Sequence, residues 1–257
     1  MRTWWRGLSA RRRLLMTVVS ALVVVLVAAF VVPRLLSGSP AADTSKPGTV
    51  LLIPGYGGSQ AALNVLADAI RATGRPAEVV ALPGDGTGDL QEQVATLDKD
   101  VQQAYAGGAP SVDLIGYSAG GVVARLWVDR NPRGARRVVT LGSPLHGTQI
   151  ASTGTTVLPD ACPTACKQLA VGSALLKQVE NRPVPVPWLS VWTEQDQTVI
   201  PPTSARLDGA VNVPLQGICP TAQVSHSQLP TDPAVTKLVL QAISADPLSQ
   251  PTSGVCR

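Results

Sequence analysis

Residues 111–121 read Ser111-Val112-Asp113-Leu114-Ile115-Gly116-Tyr117-Ser118-Ala119-Gly120-Gly121. The apolar run, interrupted only at Asp113, predicts a short buried strand that enters a turn at Gly116. A helical pattern follows from Gly121 through Val122, Val123, Leu126 and Trp127. Strand, tight turn and helix around Gly-x-Ser-x-Gly make a nucleophile elbow, which lifts a serine hydroxyl above the C-terminal edge of a sheet. Glycine is needed two residues to either side because a Cβ there would meet neighbouring backbone, and the helix aims its first amides at the reacting centre. In a chain with 23 glycines the spacing alone is unspecific, so the flanking elements carry the weight.

The same grammar extends in both directions. Thr49 to Ile53 reads as a strand ending in Pro54-Gly55-Tyr56-Gly57-Gly58, with Ser59 as helix cap before an apolar face of Ala62, Leu63, Leu66, Ala69 and Ile70. Glu78 to Leu82 reads as the next strand, Pro83 to Gly88 as a loop, and Val94, Leu97, Val101 and Ala104 as a helix face. Beyond the elbow, Arg137 to Leu141 is a strand that ends at Gly142-Ser143-Pro144. Residues 145–187 break the pattern with Thr and Gly clusters and one amphipathic stretch, Leu169 to Val179. They are read as a cap-like insertion or as a surface excursion pinned by a disulfide. Trp188 to Trp192 and Ala210 to Leu215 resume the sheet, and Pro233 to Ile243 closes it as a helix. Strands alternating with helices predict an α/β fold, a mostly parallel sheet with helices on both faces.

Residues 1–40 hold six arginines and no acidic residue, leaving 15 basic against 17 acidic side chains in the rest, a net charge of −2. No basic face suited to nucleic acid remains outside the leader. Arg2, Arg6 and Arg11 to Arg13 precede an uncharged run from Leu14 to Val32, long enough for a hydrocarbon core, with the arginines on the inner side. The reading is a signal anchor, or a cleaved signal peptide with small residues at Ser39 and Ala41. The expected organisation is 1–36 as basic segment and hydrophobic helix, 37–48 as linker and 49–257 as catalytic domain. Cys162, Cys166, Cys219 and Cys256 all lie in the exported part and allow three pairings, of which Cys162 with Cys166 and Cys219 with Cys256 is preferred. A zinc site is the alternative, but the spacing offers no second close cysteine pair.

A serine hydroxyl needs a base, and the base an orienting acid. Of two histidines, His226 lies in the loop after the last strand and completes the chain order Ser, acid, His, while His146 precedes every candidate acid and reads as a pocket-wall residue. Asp196, in the loop after Trp192, is the acid; Asp160, Asp208 and Glu194 are its rivals. The oxyanion donors are the backbone amides of Tyr56 and Ala119. No cofactor and no metal enters this chemistry.

The set resembles the α/β-hydrolase lipases of secreted bacterial type, together with small lipases and the fungal lipase B branch. Pro54 to Gly58 is similar to the family's oxyanion loop, Gly116 to Gly120 to its elbow, and Asp196 and His226 to its acid and base. The segment Leu141-Gly142-Ser143-Pro144-Leu145-His146-Gly147-Thr148 is similar to the stretch after the next strand. Pro54 stands where many relatives carry His. The resemblance implies ester hydrolysis without a cofactor. Together with the leader, the expectation is a membrane-tethered or secreted monomer acting on lipid-like esters, acylglycerols among them. An acyltransferase or thioesterase of the cell envelope and a catalytically silent binding module are the competing expectations.

Overall fold

The computed structural model describes residues 9–36, 43 and 45–256, with the side chains of residues 10, 13 and 26–36 outside that description. The chain divides into two compact units, 1–40 and 41–257. In the first, α1 (Ala10–Leu36) carries Leu14, Leu15, Val18, Leu22 and Val25 exposed. Among the described residues no helix is long and apolar enough to cross a membrane. Leu26 to Val32, which complete the predicted apolar run, and the positions Arg2, Arg6, Ser39 and Ala41 lie outside the described residues or side chains.

The second unit is built on six parallel strands: β1 (Thr49–Ile53), β2 (Ala77–Val79), β3 (Val112–Tyr117), β4 (Arg137–Leu141), β5 (Trp188–Trp192) and β6 (Val211–Pro214). Their order is β2-β1-β3-β4-β5-β6, so the chain steps outward from β1 to β2 and then returns past β1 to β3. The order reverses between β1 and β3, and the crevice beyond the C-terminal ends of such a pair is where open α/β sheets place their sites.

Side chains alternate across this sheet. Leu51, Ile53 and Leu114 face a core with α3 (Leu90–Ala106) and α4 (Ala119–Arg130), where Leu97, Val123 and Trp127 are buried. Val50, Leu52 and Ile115 face the opposite core with α2 (Ala61–Arg71) and α8 (Pro233–Ala242), packed on Leu66, Ile70, Leu238 and Val239. Both faces are buried, which is why the strands read as nearly continuous apolar runs.

The departures from expectation are local. Helix α2 starts at Ala61 after Gln60, with no side-chain cap, so Ser59 does not serve as one. Strand β2 ends at Val79; the Val80 amide still donates to Leu52 O at 2.9 Å, but β2 is the edge strand and the chain leaves it before Pro83. In the insertion, Leu169–Val179 forms only a 3₁₀ turn at Leu176–Gln178, because Gly172 at φ +71° breaks the run. The regular pieces are α5 (Gln149–Val157) and α6 (Thr164–Gln168). Helix α5 is poor in helix-formers, and its hydroxyls bond back along it: Ser152 Oγ to Thr148 O, Thr155 Oγ1 to Ala151 O and Thr156 Oγ1 to Ser152 O. Cys162–Cys166 and Cys219–Cys256 are disulfides, as preferred, which removes the thiolates a zinc site would need.

Both stems of the insertion are tied down. Arg125 on α4, 2% exposed, donates to the carbonyls of Val179, Arg182 and Pro183. Gln168 at the end of α6 accepts from Leu90 N at 2.8 Å and donates to Asp89 Oδ1 at 2.6 Å, at the start of α3.

At the N-terminal edge of the sheet, Asp113 is fully buried. It receives Arg136 through Nε at 3.0 Å and Nη2 at 2.5 Å, and Arg75 at 2.7 Å. The arginines continue to the end of α8: Arg75 and Arg136 donate to Ile243 O, Arg136 to Ser244 O and Arg137 to Ala242 O. Cations at a helix C-terminus satisfy carbonyls that have no partner in the helix.

Candidate active site

The elbow forms as its sequence requires. Ser118 has φ 52° and ψ −124°, and Asn181 is the other non-glycine residue with positive φ among the described residues. A serine in that region stores about 1–3 kcal/mol of backbone strain. Its amide donates to Leu141 O at 2.8 Å, and its carbonyl accepts from Gly121 N at 3.0 Å. A Cβ on Gly116 would collide with Gly121, one on Gly120 with the carbonyls of Ile53 and Pro54, and one on Gly121 with the Ser143 side chain. The first two contacts explain the motif's spacing; the third fits α4 against the end of β4.

His226 opens a short 3₁₀ turn, His226–Gln228, in which Gln228 Oε1 accepts from Ser225 N at 2.9 Å. Nδ1 of the imidazole meets Asp196 Oδ2 at 2.6 Å. An ionised carboxylate only accepts, so Nδ1 is the donor of this pair. The other carboxylate oxygen, Oδ1, accepts from Thr198 N and Val199 N, both at 2.8 Å. Asp196 and His226 are 5% and 8% exposed, so the pair sits out of bulk water. Thr193 Oγ1 joins the two loops by donating to Val224 O at 2.7 Å.

The imidazole stands against the elbow. A Cβ added to Gly142 would come within 3.1 Å of His226 Nδ1, and Gly142 directly follows Leu141, whose carbonyl holds the Ser118 amide. The Tyr117 ring lies 5.2 Å from the imidazole, centroid to centroid, and its hydroxyl donates to His226 O at 3.3 Å. Burial pushes the Tyr117 phenol up to about 12, with the charge of Asp196 adding to it, so the hydroxyl remains a donor. Among the described residues the Ser118 hydroxyl makes no hydrogen bond, to the imidazole or otherwise. Such bonds are often long without substrate and tighten in the reacting complex.

The loop that carries one predicted oxyanion amide, that of Tyr56, runs beside the serine. A Cβ on Gly55 would lie 2.9 Å from Ser118 Cβ, so only glycine lets the loop after β1 come this close to the serine. The loop then turns at Gly57 and Gly58, with φ +85° and +63°, and Gly58 N donates to Gly55 O at 3.0 Å. Ala119 is the first residue of α4, where helix amides have no intrahelical acceptor. Among the described residues neither the Tyr56 nor the Ala119 amide has a protein acceptor.

The rival residues lie elsewhere. His146 is exposed, its Nδ1 paired with Ser204 O at 3.0 Å, on the wall of a separate cavity of about 610 Å³ with Arg125, Val184 and Leu207. Asp208 is exposed beside Arg206, and Asp160 and Glu194 are exposed. None of the three carboxylates bonds to a histidine among the described residues. Among the described residues no three His, Cys, Asp or Glu side chains form a group that could hold a metal ion. Sequence reasoning missed Tyr117 and Gly142 as neighbours of the imidazole, and Thr193 as the tie between the acid's loop and the loop before His226. Gly142 carried a signal, since a glycine at a strand's C-terminal end marks close approach.

The architecture has solved counterparts. A Bacillus licheniformis lipase in its mature form is similar at TM-score 0.62 and 21% identity, over 80% of this chain and 94% of that one. Aspergillus fumigatus lipase B is similar at TM-score 0.66 and 16% identity, over 84% of this chain but 56% of the fungal one. A structure of metagenome-derived lipolytic enzymes is similar at TM-score 0.62 and 16% identity, over 79% and 99% of the two chains. No curated protein matches the chain significantly in sequence. At such identities the likeness speaks for the fold. The sequence model of the palmitoyl protein thioesterase family matches residues 49–185, more than half of the chain. By that match, the chain belongs to the palmitoyl protein thioesterase family and is a serine hydrolase of α/β-hydrolase fold.

Proposed function

We propose that the domain 49–257 hydrolyses carboxylic esters of lipid-like acyl groups through an acyl-enzyme on Ser118. The single observation that carries this reading is Ser118 in the left-handed region at a strand-to-helix turn, directly after Tyr117, whose ring lies 5.2 Å from an imidazole bonded to a buried carboxylate at 2.6 Å. Ser118 Oγ attacks the carbonyl carbon while His226 Nε2 takes the hydroxyl proton, and Asp196 holds the imidazolium so formed. The carbonyl oxygen, now negative, is received by the Tyr56 and Ala119 amides. Collapse breaks the bond to the alcohol, which leaves with the proton from His226. Water then attacks the acyl-enzyme by the same route and releases the acid. Ser118→Ala is expected to abolish p-nitrophenyl ester turnover while leaving the far-ultraviolet dichroism unchanged; turnover at the wild-type rate would overturn the assignment.

A second reading has its own support. The family match over residues 49–185 favours a thioester as the acyl donor. Hydrolysis of a long-chain acyl thioester and of the oxygen ester with the same chain, compared by kcat/KM, decides between them. Added alcohol acceptors test for acyl transfer, and labelling of Ser118 by a fluorophosphonate separates an enzyme from a silent binding module.

The same proposal covers the chain's setting. Residues 1–36 act as signal anchor or signal peptide, 37–48 as linker, and 145–187 as an insertion over the site, with the domain working outside the cytoplasm as a monomer. Two disulfides support the exported setting.

A further inference from the structure

The segment Leu141 to Thr148 stands out in the sequence, and the proposed chemistry leaves its last residue without a role. We propose that Thr148 is a positioning residue for the Asp196–His226 pair, acting through the loop that holds the acid; this rests on the triad reading above. The Thr148 hydroxyl does two things at once. It donates to Thr198 O at 3.0 Å and accepts from Ile200 N at 3.0 Å. These two groups flank Val199, and the amides of Thr198 and Val199 are the ones that hold Asp196 Oδ1. The turn that cradles the carboxylate is therefore gripped from the other side by one hydroxyl.

Thr148 is itself fixed. It is 7% exposed, its amide donates to Leu169 O at 3.0 Å, and its carbonyl accepts from Ser152 N at 3.1 Å. The next residue extends the seam, with Gln149 N donating to Ile200 O at 2.8 Å. Upstream, Ser204 Oγ donates to Gly147 O at 2.5 Å and accepts from His146 N at 3.2 Å. The segment's first glycine leaves beside the imidazole only space that a Cβ would fill, and its last threonine holds the acid loop, so one stretch of chain runs past both the base and the acid. Serine can supply the same donor and acceptor; valine, of the same shape, supplies neither and leaves Thr198 O and Ile200 N without this partner.

The test measures kcat/KM against pH for p-nitrophenyl ester hydrolysis in Thr148→Val, Thr148→Ser and Ser118→Ala. The titratable groups facing the imidazole are Asp196 and the Tyr117 phenol. For Thr148→Val a loss of about 10- to 100-fold is expected, carried by kcat rather than KM, since a small misplacement of catalytic groups costs that much. The midpoint of the acid limb moves to lower pH, because a carboxylate held less closely favours the imidazolium less. Thr148→Ser restores both the rate and the midpoint. The low-field NMR signal of the His226 Nδ1 proton is expected to weaken or move upfield in Thr148→Val and to return in Thr148→Ser. Should Thr148→Val fail to fold, Thr148→Ala carries the same expectations.

A wild-type rate and midpoint in the hydroxyl-free variant overturns the proposal. So does a serine variant as slow as the valine one, or a fall in thermal stability with no change in the acid limb. An inactive Ser118→Ala beside an unaffected Thr148→Val removes the positioning role alone, whereas an active Ser118→Ala removes the triad reading and this proposal with it.

Discussion

The two ends of the sheet are built on opposite principles. At the N-terminal end, one buried carboxylate, Asp113, is shared by Arg75 and Arg136, and those arginines go on to the last carbonyls of α8. At the C-terminal end the chain spends glycines instead of charges, bends a serine into a conformation it resists and, among the described residues, leaves two amides and a hydroxyl without protein partners. Saturation makes the first end cohesive and chemically silent. Unsatisfied donors and a strained turn cost stability at the second and leave it ready to receive charge.

The comparison breaks if either end does the other's job. Ser118→Ala should lower kcat/KM by about a millionfold, the scale of removing a nucleophile, without lowering the thermal midpoint. Ser118→Gly, equally inactive, should be more stable than the wild type by about 1 kcal/mol because the left-handed conformation no longer costs it; differential scanning calorimetry measures both. Arg136→Met leaves a buried carboxylate short of a partner and should remove about 3–5 kcal/mol in urea unfolding, with kcat per folded molecule unchanged. Gly55→Ala pushes the oxyanion loop off the serine and should cut kcat by about 100-fold, the effect of losing one oxyanion donor, with little change in the urea midpoint. The smallest effect concerns Tyr117. Its phenol is raised from 10.0 to about 12, so its contribution is complete below pH 10 and is lost as pH rises towards 12. Tyr117→Phe should flatten the fall in stability across that window, read as thermal midpoint against pH.

How much of this could be read from sequence follows from range. The elbow and the glycine loop after β1 are set by neighbours a few residues apart, so the motif together with its flanking strand and helix patterns is legible locally. Chain order singles out Asp196 and His226, which the fold pairs at 2.6 Å, since each strand's C-terminal loop returns to the same edge. Partners chosen across the fold left no such trace. Asp113 is visible as a charge inside an apolar strand, but nothing local names Arg75 or Arg136 as its counter-ions, 38 and 23 residues away. Helix α5 hid because Ser, Thr and Gly read as loop, while their hydroxyls, bonded back along the turn, satisfy a helix that propensity disfavours. Thr148 hid for the same reason: a hydroxyl's partners depend on which loop lies beside it, and sequence does not say.

Arg125 also limits how the insertion can move. It pins the exit of the insertion at Val179, Arg182 and Pro183, while Thr148 pins the entrance and Gln168 fastens the end of α6 to α3. An insertion held at these three places is not free to swing as one body. Any give has to come from within, at α5 and the turn beyond it, where Ile150, Val157 and Leu158 already face outward.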